Sequence, residues 1–178
     1  MPARFGDGLI RAIMQAGGPH GMTPYGLEAL TVMRIEKGHV GGNELNGQTT
    51  ARDLGLGRMM SARKDYIGRV MARRAALTAP ERPTLVGFRA VDPDEPVGSG
   101  AHFIPVGAPA VAANDEGRAT SACWSPVLRQ TLGIGLLKNG GMRMGERLRA
   151  YDPIRKRDAL VEICSPVFID PEGARLRV

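Results

Sequence analysis

The run Ala79-Pro80-Glu81-Arg82-Pro83 divides this chain into two different hydrophobic patterns. Two prolines within five residues interrupt any regular element and mark a connection. Beyond it, β-rich runs are short and closely spaced: Thr84–Arg89, Val111–Ala113, Ala119–Trp124, Gly133–Leu137, Arg147–Ala150 and Ala159–Cys164. Turn residues separate them, notably Asp115-Glu116-Gly117 and Asn139-Gly140-Gly141. So many short strands with turns between them predict a small antiparallel barrel or sandwich. Ser125-Pro126-Val127-Leu128 reads as the start of one short helical crossover.

Before the break the pattern is mixed. Residues 5–16 place Leu9, Ile10, Ile13 and Met14 on one helical face, and Gly17-Gly18 is a stop signal. Thr23-Pro24 is a helix-start signal for a short turn over Tyr25–Leu30. The β-rich run Leu30-Thr31-Val32-Met33-Arg34-Ile35 then predicts a strand ending at Gly38. His39–Gly47 is a Gly/Asn loop, Thr49 or Thr50 caps a turn that includes Asp53, and Tyr66–Ala76 carries helical spacing. The expectation is an α+β chain with two parts, a helix/strand segment over residues 1–79 and a small antiparallel β-barrel over 84–178.

Composition narrows the class. Of 178 residues, 43% are apolar and 24% charged, which is ordinary for a globular protein and argues against wholesale disorder. No apolar run approaches the roughly 18–20 residues that span a bilayer. Arg4, Asp7 and Arg11 interrupt the first twenty residues, so these lack the apolar core of a signal peptide. No membrane association and a cytoplasmic location are therefore expected, with Cys123 and Cys164 as reduced, buried thiols. The net charge of +6 admits a solvated basic surface, or a patch receiving an anionic ligand or an acidic partner. Only 4% of residues are aromatic, so stacking platforms for nucleic acid are scarce and no nucleic-acid partner is expected.

The familiar catalytic signatures are missing. Gly17-Gly18-Pro19-His20-Gly21 lacks dinucleotide spacing, and there is neither a Walker sequence nor a GxSxG elbow. His20, His39 and His102 have no second ligand at metal spacing, so no metal is expected. The residues offer no self-contained catalytic constellation, and no catalytic residue is assigned.

Three segments carry a family resemblance. Met33-Arg34-Ile35-Glu36-Lys37-Gly38 matches an R-[LI]-E-x-G motif. Asn43 to Thr50, then Asp53-Leu54-Gly55-Leu56-Gly57 and Lys64-Asp65-Tyr66-Ile67-Gly68, follow a "TTP…GL…K-x-D-F-I-G" progression, with Ala51 where proline is common. Gly117-Arg118-Ala119-Thr120-Ser121, Ser125-Pro126, Cys164-Ser165-Pro166 and Asp170-Pro171-Glu172-Gly173 complete the order. Together these resemble the folate-dependent aminomethyltransferase domain of the glycine-cleavage T-protein type. The nearest likeness is to the version that ends the alpha subunits of heterotetrameric sarcosine oxidases.

The resemblance implies a partial aminomethyltransferase fold and tetrahydrofolate as cofactor. It implies a role in accepting the one-carbon unit of oxidised sarcosine, with methylenetetrahydrofolate and glycine as products. FAD, FMN and NAD would belong to the rest of such a complex. The partners would be the flavin-bearing beta subunit and the other sarcosine oxidase subunits. Tyr25, Arg34 and Glu172 become candidate folate contacts. For Arg34 a structural pairing with Glu36 or a neighbouring loop stays open beside folate contact. For Trp124, barrel core or an interface anchor stays open beside pterin stacking.

Two departures matter. The family's folate-holding carboxylates sit in a YxGExGxE-like segment for which this chain has no counterpart, so a fragment or one product of a split gene is expected, with little turnover alone. Leu30 stands where glycine-cleavage proteins carry a substrate-binding arginine. An aliphatic side chain cannot give a carboxylate the paired hydrogen bonds of a guanidinium. That favours the sarcosine oxidase branch, with a non-catalytic module docking on a flavoprotein subunit as the alternative.

Overall fold

The computed structural model describes residues 2–177. It forms two compact units that divide between Leu30 and Thr31. The first contains α1 (Gly6–Gly17), whose apolar residues Leu9, Ile10 and Ile13 are each about half exposed. The helix ends where expected, at the Gly17-Gly18 pair.

The next helix, α2 (Leu27–Glu36), replaces the strand expected over Leu30–Ile35. The run Thr-Val-Met-Arg-Ile has β propensity, but propensity is a weak prior that tertiary contacts override. Here the contacts fall at the end of the helix, where Ile35 and Glu36 are buried. Residues 66–76 are not the continuous helix expected either. They form turns and a 3-10 segment at Met71–Arg73, and α3 (Ala75–Thr78) is a single turn. Among the described residues there is no strand before Pro83.

After the proline-rich connection come six strands: β1 (Pro83–Ala90), β2 (His102–Pro105), β3 (Gly117–Ser125), β4 (Gln130–Lys138), β5 (Arg147–Asp152) and β6 (Arg157–Cys164). They close into an antiparallel barrel in the order β1-β4-β3-β2-β5-β6, with β6 pairing back to β1. The barrel therefore wins over the sandwich. The strand expected at Val111–Ala113 is absent, and Ala112–Asn114 is a 3-10 turn instead. Residues 126–129 make a tight turn between β3 and β4, not a helical crossover, because the two strands are hairpin neighbours and need no crossing.

Val86, Phe88, Phe103, Leu137, Leu148, Val161 and Ile163 fill the interior, with small residues between them. Phe88 and Phe103 meet edge-to-face with ring centroids 5.5 Å apart. Room for those rings comes from β4, where a Cβ at Gly133 would lie closer than 3.0 Å to Phe88, and one at Gly135 would lie 2.8 Å from Phe103. Strand β4 is also buried on its other side, at Leu132 and Ile134, so the barrel's outer surface is covered there. Connections from residues before the barrel are direct: Leu85 N–H donates to the Asp53 carbonyl at 2.6 Å, and Asn43 Nδ2 donates to the Thr120 carbonyl at 3.0 Å.

The chain after β6 closes over the same side. Gly38 (φ +74°) and Gly87 both leave space for the Ser165-Pro166 backbone, which a Cβ at either position would strike. The N–H groups of Phe168 and Ile169 donate to the Glu36 carbonyl at 2.9 and 3.0 Å. Among the described residues no helix is long and apolar enough to cross a membrane.

Candidate functional site

A β-bulge in β3 decides what faces outward. The register slips between Ala119 and Ser121, so Ala119 opposes Gly135 while Ser121 opposes Ile134. Ala119 and Ala122 thus both turn inward to the core, and Ser121 is carried to the outer face. There it meets α2 and the following loop. The Ser121 hydroxyl donates to Glu44 Oε1 at 2.8 Å and accepts from Arg34 Nη2 at 2.6 Å. Arg34 Nη1 adds bonds to Glu44 Oε2 at 3.3 Å and to the His39 carbonyl at 3.2 Å.

Glu44 is 0% exposed, yet it stays charged. Burial pushes its carboxyl up, but the Thr120 hydroxyl, the Gly41 N–H, the Ser121 hydroxyl and the Arg34 charge together hold it below its ordinary value. Gly41 N–H donates at 2.6 Å, and the guanidinium lies close enough to Gly41 that a Cβ there would stand 3.2 Å from it. Arg34 therefore pairs with Glu44 on the neighbouring loop, not with Glu36. Glu36 instead accepts from the Ser125 hydroxyl at 2.5 Å. On the same outer face, between Ser121 and Ser125, the Cys123 thiol is pushed up to about 11, chiefly by burial and further by the Glu36 charge, with Arg34 opposing.

Two further anchors follow. Asp53 is buried and accepts from Thr50 N–H at 2.8 Å and from Arg82 Nε at 3.0 Å and Nη2 at 2.5 Å. Burial raises its carboxyl, and the Arg82 and Thr50 hydrogen bonds outweigh that and lower it. Lys37 Nζ donates to Asp170 Oδ2 at 3.0 Å, and that bond is the main cause holding the Asp170 carboxyl low.

A cavity of about 510 Å³ opens beside the Asp53–Arg82 pair. Its wall includes Asn46, Gln48, His102, Asp115, Arg118 and Lys138, and contains none of Tyr25, Arg34 and Glu172. Among the described residues no group of three or more His, Cys, Asp and Glu side chains could hold a metal ion.

Sequence comparison places this architecture. The description "GCVT N-terminal domain" fits residues 1–64, and "Glycine cleavage T-protein C-terminal barrel domain" fits residues 84–170. The chain belongs to the glycine cleavage T-protein family. It is 44% identical over its whole length to the sarcosine oxidase subunit alpha of Rhizobium meliloti (strain 1021), and 34% identical over 98% of its length to that of Corynebacterium sp. (strain U-96). It spans 18% of the length of each. An aminomethyltransferase of Streptomyces avermitilis is 32% identical over 71% of this chain and 33% of its own length. In fold, the chain matches the glycine cleavage system aminomethyltransferase T of Bartonella henselae with a TM-score of 0.75, at 20% identity, over 92% of this chain and 45% of the other.

Within this T-protein fold the predicted residues have different settings. Arg34 is held by the protein's own acceptors. Tyr25 is 64% exposed, and the Glu172 side chain is exposed as well. Trp124 is 49% exposed near the end of the β3–β4 hairpin, so it is not barrel core. In the sequence Glu44 and Ser121 stand out only as motif letters. A glutamate in a Gly/Asn loop gives no sign of burial, and no sequence pattern announces the bulge that turns Ser121 outward.

Proposed function

We propose that this chain forms part of the tetrahydrofolate-binding domain of a sarcosine-oxidase-type alpha subunit. The observation that carries the reading is the alignment of the whole chain with the alpha subunit of Rhizobium meliloti. Leu30, in place of a carboxylate-binding arginine, favours this branch over glycine cleavage.

The buried carboxylates bear on the part proposed for it. Glu36, Glu44, Asp53 and Asp152 are all buried, and each accepts hydrogen bonds from the protein's own groups. A carboxylate committed in this way is a poor proton carrier for a reacting substrate. With these four carboxylates committed, the chain is read as wall and closing barrel of the folate domain. When bound, tetrahydrofolate supplies the nitrogen that accepts the one-carbon unit of oxidised sarcosine, with methylenetetrahydrofolate and glycine as products.

Tyr25, Arg34 and Glu172 are the proposed contacts. Among the described residues, three of the five guanidinium N–H groups of Arg34 are committed, which leaves two for an anion. Tyr25 and Glu172 are exposed enough to meet a ligand. The wall would keep bulk water from a hydrolysable imine. The proposed setting is the cytoplasm, in a complex whose remaining parts carry FAD, FMN and NAD.

The test is tetrahydrofolate binding by equilibrium dialysis, on the chain alone and with the preceding aminomethyltransferase segment of a sarcosine oxidase alpha subunit added. Binding that needs both pieces supports the proposal. Capture of a flavoprotein subunit with no folate bound by either mixture overturns it in favour of a docking module.

A further inference from the structure

Among the described residues, two cations on the outer face of the β3–β4 ladder have no carboxylate partner. Arg118 stands opposite Leu136 in the register, and Lys138 lies two residues beyond Leu136. Alternate residues share a face, so the two are diagonal neighbours, about 7–8 Å apart at that position in a ladder. Among the described residues neither forms an ion pair, and Lys138 Nζ donates only to the Asp115 carbonyl, at 2.8 Å.

The acids around them are committed elsewhere. The Asp115 carboxylate lies 3.0 Å from His102 Nδ1 and accepts from Gly117 N–H at 3.2 Å. Glu116 pairs with Arg143, and Asp53 with Arg82. Two like charges thus sit at diagonal positions of one ladder, within reach of a single small anion. Both line the cavity of about 510 Å³, where Leu136 and Pro83 add apolar wall and Asn46 and Gln48 add neutral polar groups.

We propose that this cavity binds a small dicarboxylate, one carboxylate on the Arg118 guanidinium and the other at Lys138. The guanidinium fork matches a carboxylate bidentately, and the ammonium acts as a second point charge. The apolar wall suits the hydrocarbon that joins two carboxylates, which a bare inorganic anion lacks. The volume is that of a small-molecule site. This site shares no residue with Tyr25, Arg34 and Glu172, so it stands apart from the folate proposal.

The probes are glutarate, acetate and inorganic phosphate, titrated into the full chain with backbone amide NMR shifts as readout. The expected result is saturable glutarate binding with shifts at Asn46, Gly117 and Lys138, at least tenfold tighter than acetate or phosphate. Arg118→Gln and Lys138→Gln, both on the exposed surface, each weaken it at least fivefold while leaving the melting temperature unchanged. Glutarate that binds no better than acetate or phosphate overturns the proposal, as does wild-type affinity in both variants. Displacement of glutarate by tetrahydrofolate would name a folate glutamate tail as the source of the dicarboxylate, and lack of displacement a free one. A chain that binds glutarate but never folate keeps this site and rejects the folate reading.

Discussion

Ser121 donates its hydroxyl to Glu44 at 2.8 Å across 77 residues of chain. The same oxygen accepts from Arg34, so one hydroxyl joins a barrel strand to the helix and loop that precede the barrel. A serine can do both because it has one proton to give and lone pairs to receive. Without the bulge at Ala119/Ser121 its side chain would point into the apolar interior.

Ser121→Ala removes the acceptor from Arg34 and the donor from a buried carboxylate. Leaving such partners unsatisfied costs about 1–3 kcal/mol. Glu44→Ala leaves the Arg34 charge part-buried and unpaired, and breaking a buried pair from one side costs about 3–5 kcal/mol. Urea melts should rank the variants in that order. Equal midpoints for wild type and Ser121→Ala would show that the network contributes nothing.

The same groups set the response to acid. The Glu44 and Asp53 carboxyls are held below their ordinary values of 4.5 and 3.8. Near those values the unfolded chain binds more protons than the folded one, so acid favours unfolding. Their contribution is full above the ordinary values and is lost as pH falls through the lower, folded ones. The urea midpoint should therefore fall from about pH 5 towards pH 3. Glu44→Gln combined with Asp53→Asn should flatten that fall, and an unchanged slope would assign acid sensitivity to other groups.

What the sequence revealed depended on whether local pattern and final environment agreed. α1 was legible because Leu9, Ile10, Ile13 and Met14 fall at helical spacing before two glycines. Five of the barrel strands were legible because β-rich runs and turn residues alternate. β2 was hidden in four residues that end in proline, and its pairing to β3 and β5 is a property of the closed barrel alone. α2 was misread because its β-rich composition says nothing of the distant Ser121 and Ser125 that hold Arg34 and Glu36. Arg34 was legible as a candidate, whereas its partner Glu44 was not, since burial of a loop glutamate is decided by the strand that packs over it.

The glycines of β4 give a steric test. A Cβ at Gly133 would lie closer than 3.0 Å to both the Phe88 ring and the Ser121 carbonyl. The ring belongs to a side chain that a smaller residue could replace, but the carbonyl is backbone. Gly133→Ala should cost about 3 kcal/mol, the upper end of overpacking in a filled core. Phe88→Leu added to it should recover only part of the loss. Full recovery, measured by thermal melt, would show that the ring alone demands glycine and that the bulged β3 backbone can move.

The two thiols provide the last test. Cys123 and Cys164 are unpaired, and burial is the largest cause pushing each up to about 11. At pH 8 a thiol with that value is roughly 0.1% thiolate, against about a quarter for an unperturbed cysteine. A high-pKa thiolate is more nucleophilic once formed, which returns about one order of magnitude of the difference. Iodoacetamide should accordingly label both cysteines of the folded chain roughly 20-fold more slowly than free cysteine at pH 8. The rate should rise tenfold per pH unit up to about pH 10. Rapid labelling of Cys123 near neutrality would mean that its thiol is not held under the burial and Glu36 charge seen here, and that the contact between α2 and β3 opens readily in solution.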